Sequence, residues 1–90
     1  MIDFIWDDQK NSRLKIERGV SFEEVEGMIL DGKYIDIVTN PSHTDQKLFL
    51  LKLRGYIHVI PFIEDERGNI VLKTVYPSRK FNRIYRAHKP

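Results

Sequence analysis

The chain has 90 residues, enough for one domain with a modest core, since a chain of this length buries roughly 60 to 65% of the surface that its unfolded form exposes. Hydrophobic residues make up 41% and charged residues 31%, a composition typical of globular proteins and unlike that of disordered or membrane-embedded ones. The absence of cysteine excludes disulfide bonds and cysteine-ligated metal sites.

No secretory leader pattern opens the sequence, and no run approaches the ~20 apolar residues that span a bilayer. We therefore expect a cytoplasmic protein that has no contact with a membrane.

Charge is distributed unevenly along the chain. The last eighteen residues, 73–90, contain six basic side chains and no acidic one, whereas the remainder contains nine basic and thirteen acidic side chains, a net of −4. This asymmetry indicates that a polyanion contacts the C-terminal segment, where Tyr76, Tyr85 and His88 can stack on bases or transfer protons. The alternative is a terminal helix whose solvated face is basic.

The first predicted helix follows the apolar stretch at residues 4–6. Asp7 or Asp8 can cap it, and Gly19 ends it near Arg18. Because few of its residues are aliphatic, its apolar stripe is weak.

The second predicted helix runs from Ser21 to about Leu30. Ser21 and Glu24 have the spacing of a capping box, and Gly32 provides the left-handed residue with which helices commonly end. Its apolar side chains fall on one face, which we assign to the core: Phe22, Val25, Met28 and Ile29.

Three or four strands are predicted next, in segments 33–40, 47–54, 56–64 and 69–77, which are rich in β-branched, aromatic and leucine residues. Arg54-Gly55 and residues 65–69 are short turns, so the strands they join must be antiparallel. Pro61 lacks an N–H donor, which predicts a bulge or an outward-facing ladder position.

The last predicted helix begins after Pro77, is capped by Ser78 and continues through Arg86. Phe81, Ile84 and Tyr85 are expected to dock on the sheet. The expected fold is α+β: one domain over residues 1–90, with two N-terminal helices packed on a three- to four-stranded antiparallel meander sheet and a short C-terminal helix.

Metal and cofactor chemistry is not indicated. His43, His58 and His88 are scattered without metal-ligand spacing, and no glycine-rich phosphate loop occurs. His58 reads as a partly buried histidine with satisfied hydrogen bonds, and His43 is either a solvated loop residue or a site residue. We expect no metal and no cofactor.

The basic and aromatic C-terminal surface suits RNA cleavage without a metal. Such a reaction needs the 2′-hydroxyl deprotonated, the phosphorane charge neutralised and the leaving oxygen protonated, and Arg, Lys, Tyr and His can supply these roles. Arg79 can hold a phosphate bidentately, while Tyr76 either transfers protons or packs. The predicted catalytic residues are Arg79, Arg83, Lys73 and Tyr76, with His43 and Arg54 as second candidates, and the predicted RNA-binding residues are Lys80, Tyr85, Arg86 and His88.

Several motifs spread over nearly the whole chain occur together: Phe4-Ile5-Trp6-Asp7 followed by Lys10, GVSFEE at residues 19–24, Pro41-Ser42-His43, and a C-terminal corner with Ser78-Arg79, Arg83 and Tyr85. This set resembles the BrnT toxins of bacterial type II toxin–antitoxin systems, small basic ribonucleases with a RelE-like fold. Glu17-Arg18 stand where that family usually has Lys-His, which is typical of a divergent member.

The resemblance implies a metal-independent endoribonuclease that cleaves RNA, inhibits translation and is neutralised by a cognate antitoxin, with operator DNA bound through the antitoxin complex. Because the family histidine is absent, the alternative is a toxin-like binding protein without nuclease activity, either a topoisomerase inhibitor or a degenerate antitoxin-binding module. A third interpretation is a plain nucleic-acid-binding module, with salt-sensitive affinity and no cleavage.

Overall fold

The structure is a computed structural model that describes residues 2–87, with the backbone alone for residues 86 and 87. Its elements in chain order are β1 (Phe4–Ile5), α1 (Asp8–Arg18), α2 (Phe22–Leu30), β2 (Asp36–Thr39), β3 (Lys47–Leu53), β4 (Tyr56–Glu64), β5 (Ile70–Leu72), β6 (Tyr76–Pro77) and α3 (Arg79–Ala87). The predicted α+β class is confirmed.

The ends of the first two helices are formed by the residues that the sequence indicated. The Asp7 side chain accepts from the backbone N–H of Lys10 at 2.8 Å, and Ser21 Oγ accepts from the N–H of Glu24 at 3.1 Å. These bonds satisfy N–H groups that have no partner within the helix. Gly32, with φ of +72°, follows the end of α2 in the left-handed conformation of a Schellman motif.

Asn11 joins the two N-terminal helices. Its Oδ1 accepts from the backbone N–H of Phe22 at 2.8 Å, and its Nδ2 donates to Glu23 Oε1 at 2.8 Å. Asn11 is only 5% exposed. Its side chain therefore supplies, in the protein interior, a hydrogen-bond partner for an N–H at the start of α2 that has no partner within the helix.

Six strands within residues 2–87 form one mixed sheet, two more than the largest number predicted. The main order is β1-β5-β4-β3-β2, and β6 pairs with β4. Strands β2 to β5 form the expected antiparallel meander, whereas β1 lies parallel to β5. A two-residue strand such as β1 carries almost no periodic pattern, so only its pairing with β5 reveals it.

The last predicted strand is divided into β5 and β6. Phe62 of β4 pairs with Leu72 of β5, and Val59 of β4 pairs with Tyr76 of β6. Between these pairs the backbone N–H of Lys73 donates to the carbonyl of Pro61 at 2.8 Å. Pro61 has no N–H, so it cannot donate a ladder bond in return. It lies at the point where the strand paired with this edge of β4 changes from β6 to β5, so it is not fully paired, as the sequence predicted.

The helices cover opposite faces of the sheet. One core holds α1 and α2 against one face and contains Phe22, Leu51 and Ile60, while the core on the other face holds α3. Phe81 and Tyr85 pack against the second core as predicted. Ile84 remains 39% exposed, contrary to prediction, because the stripe that meets the sheet follows the i, i+4 spacing of the two aromatic residues.

Within the described part of the chain, none of the helices combines the length and the apolar character needed to cross a membrane.

Candidate functional site

Two pockets of about 400 Å³ each lie near the point where β5 and β6 separate, and because they share two lining residues we describe them as two lobes of one groove. The first, which we term the histidine lobe, is lined by Lys10, Asn40, Ser42, His43, Gln46, Pro61, Lys73, Thr74 and Tyr76. The second, the tryptophan lobe, is lined by Ile5, Trp6, Asp7, Lys10, Arg13, Val71, Leu72 and Lys73. Lys10 and Lys73 line both lobes, so the lobes meet at two cationic side chains.

Two elements supply these cations. Lys10 lies in the first turn of α1, where the Asp7 cap fixes its backbone, and Arg13 follows three residues later on the same helix face. Lys73 lies in the chain between β5 and β6, fixed by its backbone bond to Pro61. The groove therefore depends on the break in the last predicted strand.

The loop at residues 40–46 positions His43. Asn40, only 8% exposed, donates from Nδ2 to Gln46 Oε1 at 3.2 Å, and its Oδ1 accepts from the N–H of Ser42 at 3.0 Å. The N–H of Gln46 donates to the His43 carbonyl at 2.9 Å. These bonds hold the loop while the His43 side chain stays exposed at the groove.

The groove is suited to binding a phosphate. Among the side chains that line the two lobes, Lys10, Arg13 and Lys73 are cationic and Asp7 alone is acidic. His43 can donate or accept a proton. The phenol of Tyr76, a residue that is 37% exposed, can do the same. Cations beside two proton-transfer groups form a set that can act on a phosphodiester without a metal.

Three predicted site residues come together in the histidine lobe: Lys73, Tyr76 and His43. They come from the β5–β6 connection, β6 and the 40–46 loop. Among the predicted site residues whose side chains the structure describes, these three line the same lobe.

The predicted arginines lie beyond the lining of the lobes. Arg79 begins α3 only three residues after Tyr76, so their Cα atoms lie within about 11 Å. Arg79 and Arg83 are exposed, and neither forms an ion pair with another side chain of residues 2–85. Lys80 is also exposed, with its Nζ 5.6 Å from the ring centroid of Phe81.

Tyr85 is engaged in packing. Its Oη donates to Asp36 Oδ2 at 2.9 Å, and its ring contacts the core beneath α3. Burial, followed by the hydrogen bond to Asp36, raises the pKa of Tyr85. The Arg86 side chain and His88, both predicted to bind RNA, lie outside the described side chains and residues.

Arg54 lies at the opposite end of β3 from the 40–46 loop, about 20 Å along the strand. Its Nη1 donates to Glu24 Oε2 at 2.7 Å, and its Nη2 donates to the Gly19 carbonyl. The hydrogen bond to Glu24 raises the pKa of the guanidinium. Arg54 therefore links the β3–β4 turn to α2 and lies away from the groove.

The structure adds residues that the sequence did not single out as site candidates: Lys10, Arg13, Asn40 and Gln46. The i, i+3 spacing of Lys10 and Arg13 indicates a shared helix face, which is the one local signal that could have found them. Over residues 2–87, no three histidine, aspartate or glutamate side chains lie close enough together to hold a metal ion. His58 is buried, with Nδ1 2.9 Å from the Tyr56 carbonyl, as expected.

Comparison with known proteins identifies a fold relative. No protein-family model matches the chain, and no curated protein sequence matches it. Among solved structures, the crystal structure of BrnT, a ribonuclease toxin of Brucella abortus, aligns with a TM-score of 0.62 over 87% of this chain and 97% of that one, at 15% sequence identity. The chain has a BrnT-like fold, as the sequence motifs predicted.

Proposed function

We propose that this chain is a divergent BrnT-like toxin: a metal-independent endoribonuclease that cleaves RNA in the groove and thereby inhibits translation. The observation that carries the proposal is the meeting of Lys10 and Lys73 with His43 and Tyr76 in one lobe. The fold shared with a ribonuclease toxin supports it. The 90 residues act as one domain, and the site of action is the cytoplasm.

The groove residues match the needs of RNA cleavage. Lys10 and Lys73 hold the scissile phosphate and neutralise the charge that builds up on the phosphorane. His43 and Tyr76 then supply the proton acceptor for the 2′-hydroxyl and the donor for the 5′ leaving oxygen. The reaction breaks the P–O5′ bond and forms a P–O2′ bond, so it needs no cofactor.

Arg79 and Arg83 extend the cationic surface beyond the groove. Both are exposed on α3, and Arg79 begins that helix close to Tyr76. In this proposal Arg79 contacts the scissile or the adjacent phosphate bidentately, and Arg83 binds RNA farther along the strand.

A cognate antitoxin neutralises the protein in this proposal. Exposed cations on α1 and α3 give an acidic partner segment a complementary surface, and a partner that covers the groove blocks RNA. Operator DNA is bound by the complex through the antitoxin.

The proposal is tested by expressing the wild type, His43→Gln and Arg79→Ala from a tightly repressed promoter while growth and total RNA integrity are followed. Arg18→Ala, at an exposed arginine outside the groove lining, is the matched control. Growth arrest with RNA fragmentation that persists in Arg18→Ala and falls at least about tenfold in the other two variants supports the proposal.

Other outcomes overturn it. Arrest with intact RNA identifies a toxin with another target, such as a topoisomerase. No arrest from a folded, well-expressed wild type identifies a module that only binds its antitoxin. Circular dichroism of each purified variant separates lost chemistry from lost folding.

A further inference from the structure

The tryptophan lobe differs chemically from the histidine lobe. Ile5, Trp6 and Val71 supply apolar surface, Arg13 adds a cation, and Asp7 adds a carboxylate. None of these five side chains belongs to the set proposed to cleave RNA. The volume of about 400 Å³ falls within the range of roughly 300 to 1,000 Å³ typical of small-ligand sites.

A core residue holds the Trp6 ring in place. Its ring stacks on the fully buried Phe22, with centroids 5.6 Å apart and an interplanar angle of 25°. Beside it Ile5 is 41% exposed. Apolar surface of this kind between cations is what an unpaired nucleobase requires, since the base covers the apolar atoms while its phosphates meet the lysines.

The shared lysines relate the two lobes to one polynucleotide strand. A phosphate placed between Lys10 and Lys73 would have a nucleotide on each side, and the two lobes offer one space for each of them. If the histidine lobe contains the attacking ribose, the tryptophan lobe receives the neighbouring nucleotide, and Arg13 lies on that side of the junction.

The Asp7 carboxylate offers acceptor positions that can distinguish one base from another. Its Oδ1 accepts from the N–H of Lys10 at 2.8 Å, which uses one of about four acceptor positions on the carboxylate. A carboxylate cannot donate, so it favours a base edge with adjacent donors. Guanine offers N1–H beside N2–H₂, whereas adenine and cytosine place an acceptor beside their amino group and uracil flanks its one N–H with two carbonyls.

We propose that the tryptophan lobe is a guanine-binding subsite for the nucleotide next to the phosphate that Lys10 and Lys73 hold. This inference rests on the proposed function in taking RNA as the polynucleotide. Asp7 accepts from the Watson–Crick edge of guanine, the base lies on the surface of Ile5 and Trp6, and the lysines balance the charge of the phosphate.

Trp6 is the one tryptophan of the chain, so its fluorescence reports directly on the lobe. The probes are short 2′-O-methyl oligoribonucleotides, which cannot be cleaved, in a uridine background with G, A, C or U at one position. For the wild type we expect the guanine oligonucleotide to change Trp6 fluorescence and to bind about tenfold more tightly than the all-uridine one.

Asp7→Asn is the decisive variant. Asparagine caps helices as well as aspartate does, so α1 is retained, but its amide presents a donor where the carboxylate presented only acceptors. We expect the preference for guanine over uridine to fall below about twofold. Asp8→Asn is the control: it removes the same charge from the first turn of α1 at a residue outside the groove lining, and the preference should remain.

The outcomes separate this inference from the proposed function. Equal affinity of the wild type for the guanine and uridine probes, or no change in Trp6 fluorescence, overturns the subsite even where RNA is cleaved. A guanine preference that Asp7→Asn retains also overturns it. A preference that Asp7→Asn abolishes, in a protein that cleaves no RNA, upholds the subsite and refutes the nuclease.

Discussion

Tyr85 on α3 and Asp36 on β2 are joined by a hydrogen bond of 2.9 Å from Tyr85 Oη to Asp36 Oδ2. The other oxygen of the same carboxylate accepts from the N–H of Ile37 at 2.8 Å, so strand and helix share one anchor. Since α3 carries Arg79 and Arg83, this bond helps to fix where those cations lie relative to the sheet.

Removing the Tyr85 hydroxyl should loosen that attachment. Tyr85→Phe keeps the ring that packs on the second core but loses the bond, and we expect the free energy of unfolding to fall by about 1 kcal/mol in urea titrations. Tyr34→Phe is the control, since the Tyr34 ring packs edge-on against Phe49 at 5.7 Å and the described hydrogen bonds include none from its hydroxyl. Equal losses in the two variants would contradict the role given to the bond.

The same bond predicts a dependence of stability on alkaline pH. The pKa of Tyr85 is raised from 10.0, first by burial and then by the hydrogen bond to Asp36. A group with a raised folded-state pKa contributes stability that is complete below its unfolded pKa and is lost as pH rises through the folded value. The stability advantage of the wild type over Tyr85→Phe should therefore shrink above pH ~10. An advantage that stays constant with pH would refute this linkage.

Asn11 is expected to be the most sensitive polar position between α1 and α2. Asn11→Ala leaves the buried N–H of Phe22 without its partner, and we expect a loss of about 1 to 3 kcal/mol in the free energy of unfolding. Ser12→Ala, at the exposed neighbouring position, should change stability little.

Glu23 provides a second measurement on Asn11→Ala. The hydrogen bond from Asn11 is the largest cause that lowers the pKa of Glu23 from 4.5. Stability from a lowered pKa is present above the unfolded value and is lost as pH falls through the folded one. NMR titration should show a higher Glu23 pKa in Asn11→Ala, together with a shallower loss of stability in acid. An unchanged Glu23 pKa would rule out the assigned cause.

The two shared lysines should each contact a phosphate. In RNA binding measured against salt concentration, Lys10→Gln and Lys73→Gln should each reduce the slope of log affinity against log salt by about 0.7. Lys33→Gln removes an equal charge from an exposed position outside the groove lining and serves as the control. If all three variants change the slope equally, net charge and not the groove determines binding.

Arg54 should matter for folding and not for cleavage. Arg54→Ala removes the ion pair with Glu24 and the bond to the Gly19 carbonyl, while the alanine keeps the unfavourable positive φ of 54°. We expect a lower melting temperature with RNA cleavage unchanged in the folded protein. Lost cleavage without lost stability would instead establish Arg54 as the catalytic residue that the sequence offered as a second candidate.

Features that depend on a few neighbouring residues were predictable. The caps at Asp7 and Ser21, the turn at Arg54-Gly55 and the cap at Ser78 all involve contacts across four residues or fewer. Each follows from backbone geometry that such residues favour wherever they occur. The apolar face of α2 was readable for the same reason, because helical periodicity is a local property.

Features that depend on contacts between segments distant in sequence were not predictable. The parallel pairing of β1 with β5, the split of the last predicted strand at Lys73, and the exposure of Ile84 arise from partners far away in sequence. Pro61 illustrates the limit of prediction from sequence. Its missing N–H donor indicated an interrupted ladder, but only the pairing of the neighbouring strands shows on which side of β4 the interruption lies.

The sequence by itself determined the helices and their ends, the antiparallel meander, and the basic character of residues 73–90. Helix and strand propensity, capping and charge are properties of single residues and their near neighbours. Only the tertiary structure decided that Lys10, His43 and Lys73 line one groove, and that α3 lies on the face opposite α1 and α2. The physical reason is that such a groove arises from sheet pairing and from the burial of two separate cores, and both are energies of contact between segments that are distant along the chain.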